Sequence, residues 1–195
     1  MHSGQGVGPF NQAIETARIQ QIGNRRVVVV DNLFGPGDVE ALYEFLNSVP
    51  YYLDDHDGID EVKYARHWKA EFPVPMALGT PIFRTCIDLT RELLAPQALD
   101  LKRAHANLHL YDDMQHPHHD IPGGVSAVYY ANARWDNVWG GETVFFDESG
   151  DAVHIVAPRP GRLVVFDADI IHRAGVPTRT CFEPRISVAF KFKRR

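Results

Sequence analysis

Residues 25–31 (RRVVVVD) form an unbroken β-branched run, which predicts a buried strand. Gly35-Pro36-Gly37-Asp38 then breaks the chain, and Val39, Leu42, Phe45, Leu46 and Val49 recur at helical spacing up to Pro50. Thr80-Pro81 reads as a cap followed by proline at the first helical position. Ile82, Cys86, Leu89 and Leu93 mark one face of this second helix, which stops before Pro96. Between the two helices, residues 51–75 are polar and aromatic without a clear period. That stretch is expected to be a lid or substrate loop, or else a strand pair that the pattern conceals.

From residue 102 the period changes to two. Ala104, Ala106, Leu108 and Leu110 fall on one side of KRAHANLHLY, while Arg103, His105, Asn107, His109 and Tyr111 fall on the other. Short β-like runs follow at 124–131, 142–147, 152–157, 162–167, 169–173 and 185–193, with a further one near 115–120. Many short strands between Pro, Gly and Asp turns, after two helices, predict a mainly β fold with supporting helices. The core expected is a double-stranded β-helix, or jelly roll. The expected organisation is a flexible N-terminal segment over 1–24 and one domain over 25–195, with support from 25–100 and the jelly-roll core over 102–193.

Composition narrows this picture. The 195 residues carry 45% apolar and 23% charged positions, the balance of an ordinary globular domain with a sizeable core. A net charge of −5 points away from nucleic acid and membrane surfaces as partners. The basic run Lys191-Phe192-Lys193-Arg194-Arg195 is expected to be a solvated tail. The two cysteines, Cys86 and Cys181, lack a CxxC spacing, so no disulfide framework is expected and a reducing, cytoplasmic setting fits. The unusual feature is histidine: of ten, five fall between His105 and His119.

In the extended segment His118-His119-Asp120, the first and third side chains point to one side and can share a metal ion. Two histidines and one carboxylate on one face of an octahedron form the facial triad of non-haem Fe(II) oxygenases, with open positions for co-substrate and O₂. HxD by itself is a weak signal and needs a distant third ligand. His172, in Asp169-Ile170-Ile171-His172-Arg173, supplies one after the LVVFDAD run. Beyond it, Arg185 opens an alternating strand with Ser187 and Ala189 on its own face, and a guanidinium there can grip a carboxylate through two parallel hydrogen bonds. Arg179 competes for that role, but it falls in the turn VPTRT.

The ordered set Tyr111, His118-x-Asp120, Val128-Tyr129-Tyr130-Ala131-Asn132, Trp139-Gly140-Gly141-Glu142-Thr143, His172-x-x-Gly175 and Arg185-x-Ser187 resembles the prolyl 4-hydroxylase-like branch of the 2-oxoglutarate/Fe(II) dioxygenases. The resemblance covers roughly residues 102–193. It implies Fe(II) as metal, held by His118, Asp120 and His172, with 2-oxoglutarate as co-substrate and O₂ as oxidant. It implies that Arg185 pairs with the distal carboxylate of 2-oxoglutarate, helped by Tyr130 and by Tyr111. Tyr111 lies only seven residues before His118, a shorter spacing than the family's usual one. The related halogenases replace the carboxylate ligand with a small residue; Asp120 is present here, so the resemblance implies hydroxylation or another two-electron oxidation.

Other patterns carry less. His116 and His118 form the HxH of a cupin, but no glutamate follows within Ile121-Pro122-Gly123-Gly124-Val125. His119 alternates away from the metal side. His56, His67 and His154 are expected on the surface. Trp135 and Trp139 are read as packing of a long loop rather than substrate contacts, and Arg134 with Asp136 as either an exposed ion pair or a polar substrate contact. Gly140-Gly141 is not a phosphate loop, since no helix start or GK[ST] follows.

The expected function is therefore hydroxylation of a small molecule, such as an amino acid or natural-product intermediate, with release of succinate and CO₂. A peptidyl hydroxylase is the alternative within the same chemistry. A metal-binding jelly-roll module or sensor without turnover is the alternative from another class. Regiochemistry and oligomeric state leave no mark in the sequence.

Overall fold

The alternating segment that begins near residue 102 becomes a long strand, β5 (Leu99–His109), and its two faces divide the molecule. Ala104 and Ala106 are buried on one face, against helices. Arg103, His105, Asn107 and His109 look the other way, into a cavity. The computed structural model describes residues 9–55, 66–94, 98–113 and 115–195.

Around β5 lies an eight-stranded sheet. Its other members are β1 (Arg18–Ile22), β2 (Arg25–Val30), β3 (Tyr52–Asp55), β4 (His67–Phe72), β6 (Val125–Tyr130), β9 (Leu163–Asp167) and β11 (Arg185–Arg194), in the order β1-β2-β9-β6-β11-β5-β4-β3. Every pairing in it is antiparallel. A second sheet has three strands in the order β10-β7-β8, formed by β7 (Thr143–Phe146), β8 (Ala152–Val156) and β10 (His172–Ala174). The two sheets give the mainly β jelly-roll architecture expected from the strand spacing.

Helices cover the far face of the large sheet. They are α1 (Pro9–Glu15), α2 (Pro36–Ser48), α3 (Val74–Gly79) and α4 (Pro81–Leu94). Leu42, Leu46, Phe83, Cys86, Ile87 and Leu89 pack onto Ala104, Ala106, Val188 and Phe190 in one core. Each large apolar side chain buried there contributes roughly 1.5–3 kcal/mol. The alanines on the sheet side let the helices approach closely. A second core, around Phe145, Phe166 and Ile170, lies with Tyr130 and Val164 between the sheets.

Several expectations need correction. Residues 9–22 of the expected N-terminal segment carry regular structure: α1 buries Ala13, and β1 pairs antiparallel with β2 from Arg18↔Val29 to Ile22↔Arg25. An edge strand exposed at four of its five positions shows no alternation to read. Residues 1–8 of the expected tail lie outside the described residues. Within 51–75, β3 and β4 form the concealed strand pair and α3 follows; 56–65 and the expected surface residue His56 lie outside the described residues. The run near 115–120 contributes one isolated bridge, His118↔His172, and no strand.

The C-terminal basic run is part of β11 rather than a tail. Lys191 pairs with Asp120, Arg194 with Asp167 and Arg195 with Asp100. No helix among the described residues is long and apolar enough to cross a membrane.

Candidate active site

The bridge between His118 and His172 closes the site. Each backbone N–H donates to the other's carbonyl at 3.0 Å, which brings residues from opposite ends of the core segment side by side. Their ring centroids stand 4.6 Å apart. Asp120 N donates to Ala168 O at 3.0 Å, so the same loop is tied to the chain just beyond β9. One ligand atom from each of His118, Asp120 and His172 lies within 4.8 Å of the others.

Both rings are oriented by their own chain. Nδ1 of His118 lies 2.9 Å from the carbonyl of His116, and Nδ1 of His172 lies 2.9 Å from that of Ile170. A carbonyl only accepts, so Nδ1 is the donor in each ring and Nε2 is the atom left to face a metal. Those Nε2 atoms point at the carboxylate, 3.8 Å from Asp120 Oδ1 for His118 and 3.3 Å from Oδ2 for His172. Oδ2 also accepts from Ser126 Oγ at 2.5 Å and from the Lys191 ammonium. Burial alone would raise the Asp120 pKa, but the charges of Lys191 and His172 outweigh it and hold the group well below the usual carboxylate range.

At the start of β11, Arg185 is 1% exposed. Its Nε donates to Gly141 O at 2.7 Å, Nη1 to Ser187 Oγ at 3.3 Å, and Nη2 makes a long contact to Thr143 Oγ1 at 3.5 Å. Burial lowers its pKa despite the neighbouring Tyr130 and Glu142. No carboxylate among the described residues forms an ion pair with it. A buried guanidinium in that state is expensive unless an anion completes it. Asn132 secures the strand start: its Oδ1 accepts from Ile186 N at 2.7 Å and its Nδ2 donates to Pro184 O at 2.8 Å. Gly141 lies against the guanidinium stem with φ +76°, where a Cβ would stand 2.9 Å from Arg185 Cδ.

Between the triad and Arg185 is a cavity of about 170 Å³. It is walled by Asn107, His109, Gln115, Val128, Thr143 and Ser187, among others. The fit to an iron and a dicarboxylate is direct: two imidazoles turned by Nε2 toward one carboxylate at one place, and at another a buried cation with no carboxylate partner among the described residues.

Tyr130 is buried beneath the site rather than in the cavity wall. Its hydroxyl is within 2.6 Å of Thr143 Oγ1 and donates to Val156 O at 3.2 Å, while the Arg185 guanidinium sits 5.3 Å over its ring. Tyr111 is not brought to the site. It is 56% exposed, because β5 ends at His109 and Leu110 enters a turn whose N–H is held by Asp113 Oδ2 at 2.6 Å. His119 is exposed, with Nδ1 at 2.9 Å from Asp169 O, and Arg179 is exposed in its turn. Arg134 pairs with Glu183, not Asp136, and Trp135 and Trp139 pack edge to face at 5.4 Å.

Three wall residues escaped the sequence. His67, expected on the surface, is buried at the head of β4 with its ring 5.6 Å from that of His109. Gln115 is buried between β5 and β10. Lys191 could have been found from the alternation of β11, where it shares a face with Arg185, Ser187 and Ala189.

Residues 106–193 match the 2OG-Fe(II) oxygenase superfamily. Comparison with curated proteins finds no match. Solved structures of similar fold include a 2OG-Fe(II) oxygenase family oxidoreductase from Burkholderia pseudomallei, at 16% identity, TM-score 0.65, covering 87% of this chain and 85% of that one. A prolyl-4-hydroxylase from Pseudomonas putida aligns at 19% identity, TM-score 0.63, over 87% of this chain and 92% of that one. HygX from Streptomyces hygroscopicus, with nickel and 2-oxoglutarate bound, aligns at 16% identity, TM-score 0.59, over 85% and 82%.

Proposed function

We propose that the chain, whose residues 106–193 match the 2OG-Fe(II) oxygenase superfamily, is a 2-oxoglutarate/Fe(II)-dependent dioxygenase that hydroxylates a small molecule with release of succinate and CO₂. The observation that carries this reading is the pairing of two incomplete groups across one cavity. His118, Asp120 and His172 offer three ligand atoms to one ion, and Arg185 offers a buried cation to one end of a dicarboxylate.

In this reading the two imidazoles and Asp120 hold Fe(II), and Arg185 holds the distal carboxylate of 2-oxoglutarate. When bound, iron supplies the activation of O₂ that couples oxidation of co-substrate to oxidation of substrate. The chain's own contribution is orientation and exclusion of water. The carbonyls of His116 and Ile170 aim the rings, Lys191 and Ser126 hold the carboxylate, and Tyr130 with Gly141 sets the guanidinium plane. Tyr130 acts beneath Arg185 instead of touching the co-substrate, and Tyr111 takes no part.

The peptidyl alternative draws support from neighbours of similar fold: the Pseudomonas putida prolyl-4-hydroxylase, and a Trichoplax adhaerens prolyl hydroxylase in complex with a peptide fragment. HygX, with hygromycin B bound in one structure, supports the small-molecule reading. Both cysteines are free and buried, in keeping with a reducing cytoplasm.

Succinate release from 2-oxoglutarate, measured with Fe(II) and O₂, tests the reading. A screen of amino acids and peptides for addition of one oxygen then separates the substrate classes. Absence of both coupled and uncoupled succinate release would leave a binding module without turnover.

A further inference from the structure

His109 and Arg185 are direct cross-strand partners on β5 and β11, and both line the cavity. The imidazole is buried and its protonation is decided by its neighbours. Gln115 Oε1 accepts from the backbone N–H of Ala174 at 3.0 Å, which settles the orientation of the amide. The other end of that amide, Nε2, can only donate, and it faces His109 Nε2 at 2.8 Å. His109 Nε2 must therefore be the bare nitrogen, with the single ring proton on Nδ1. A doubly protonated ring would set one N–H against another. Burial and the nearby Arg185 charge favour the same neutral form.

Nδ1 is then a donor, and it is buried without a hydrogen-bond partner among the described residues. Buried N–H groups left without an acceptor are rare in folded proteins and mark a partner still to arrive. This one belongs to a ring beside a guanidinium that has no carboxylate partner among the described residues. Two donors of complementary need thus occupy adjoining positions on adjacent strands at one end of the cavity.

We propose that His109 is a co-substrate-binding residue, its Nδ1–H donating to the same carboxylate that Arg185 grips, with Gln115 as the positioning residue that selects the tautomer. This rests on the assignment of Arg185 to the distal carboxylate of 2-oxoglutarate. It gives that carboxylate one charged and one neutral donor, so the subsite recognises a single anionic group without placing two cations side by side. Because Gln115 is anchored on Ala174, two residues from His172, the donor is aimed by the strand that carries a candidate metal ligand.

The tautomer is read first, from side-chain ¹⁵N shifts of the histidine-labelled, metal-free protein, with the His109 signal identified by its loss in His109→Gln. The expected form is neutral with the proton on Nδ1. Gln115→Glu keeps an acceptor for Ala174 but presents a second carboxylate oxygen to His109, so the proton is expected to move to Nε2. Calorimetric titration of 2-oxoglutarate into the Mn(II)-loaded protein should then show roughly tenfold weaker binding for Gln115→Glu and for His109→Phe. A wild-type ring protonated on Nε2 would overturn the proposal, even if the variants failed to fold. So would a Gln115→Glu protein whose tautomer switches while its affinity for 2-oxoglutarate stays the same. If Arg185→Met weakens binding and the His109 and Gln115 variants do not, this proposal alone fails; if Arg185→Met has no effect either, the underlying assignment of Arg185 fails with it.

Discussion

Lys191 donates to Oδ2 of Asp120 across 71 positions of sequence, so the candidate metal-binding carboxylate is already neutralised by the chain's own cation. Both side chains are largely buried, at 12% and 9% exposure, and neither charge is well solvated without the other. Replacing Lys191 by Met should therefore destabilise the metal-free protein by about 2 kcal/mol, a fall of about 4–8 °C in Tm for a chain of this size. Mn(II) should recover most of that loss, since the dication takes the place of the ammonium. Thermal melts with and without Mn(II) check this; a Lys191→Met protein as stable as wild type without metal would show that the pair contributes nothing.

His172 meets the HxD segment through its bridge to His118, whereas His119 is exposed and turned to Asp169. His172→Ala should abolish both turnover and metal retention, because it removes one of three converging ligand atoms. His119→Ala should keep both, since its ring is exposed and its Nδ1 is turned to the carbonyl of Asp169. Metal content after dialysis and succinate release measure the two effects. A His119→Ala protein without metal would mean the segment binds in the other register.

Gly141→Ala probes the wall behind the guanidinium. The backbone there has φ +76°, and the added methyl would press on Arg185 Cδ at 2.9 Å. The expected outcome is a loss of stability of about 1–2 kcal/mol and a weaker affinity for 2-oxoglutarate. Gly150→Ala is the matched control: its φ is +89°, but nothing lies within 4 Å of the added carbon. It should lose stability and leave co-substrate binding unchanged.

His109 should also leave a mark on the pH dependence of stability. Its folded pKa lies well below the ordinary 6.5, because burial and the Arg185 charge disfavour the imidazolium. The unfolded chain therefore binds the extra proton first, and stability falls as pH drops below 6.5, with a slope of up to about 1.4 kcal/mol per pH unit. Above that pH the contribution is flat. Urea unfolding of wild type and His109→Gln at a series of pH values below 6.5 should show a shallower slope in the variant.

How far the sequence reached can be followed along β5 and β11. Alternation placed Arg103, His105, Asn107 and His109 on one face, and the cavity lies on that face. The same alternation carried Tyr111 too far, because a period of two does not show where pairing stops. Asp112, with φ 71°, turns the chain away one residue beyond Tyr111. Edge strands were the other blind spot: β1 has little buried surface, and Tyr52 and Leu53 at the start of β3 are both exposed, so neither shows a contrast between two faces.

By itself, the sequence determined which groups are available and which neighbours share a face: His118 with Asp120, and Arg185 with Ser187 and Ala189. Those relations are local, imposed by the geometry of an extended backbone. Only the tertiary structure decided what stands opposite them. The bridge that sets His118 beside His172, the register that sets Arg185 across from His109, and the approach of Lys191 to Asp120 all join distant positions. Sheet register and close packing bring such pairs together, and neither spacing nor composition encodes them one residue at a time.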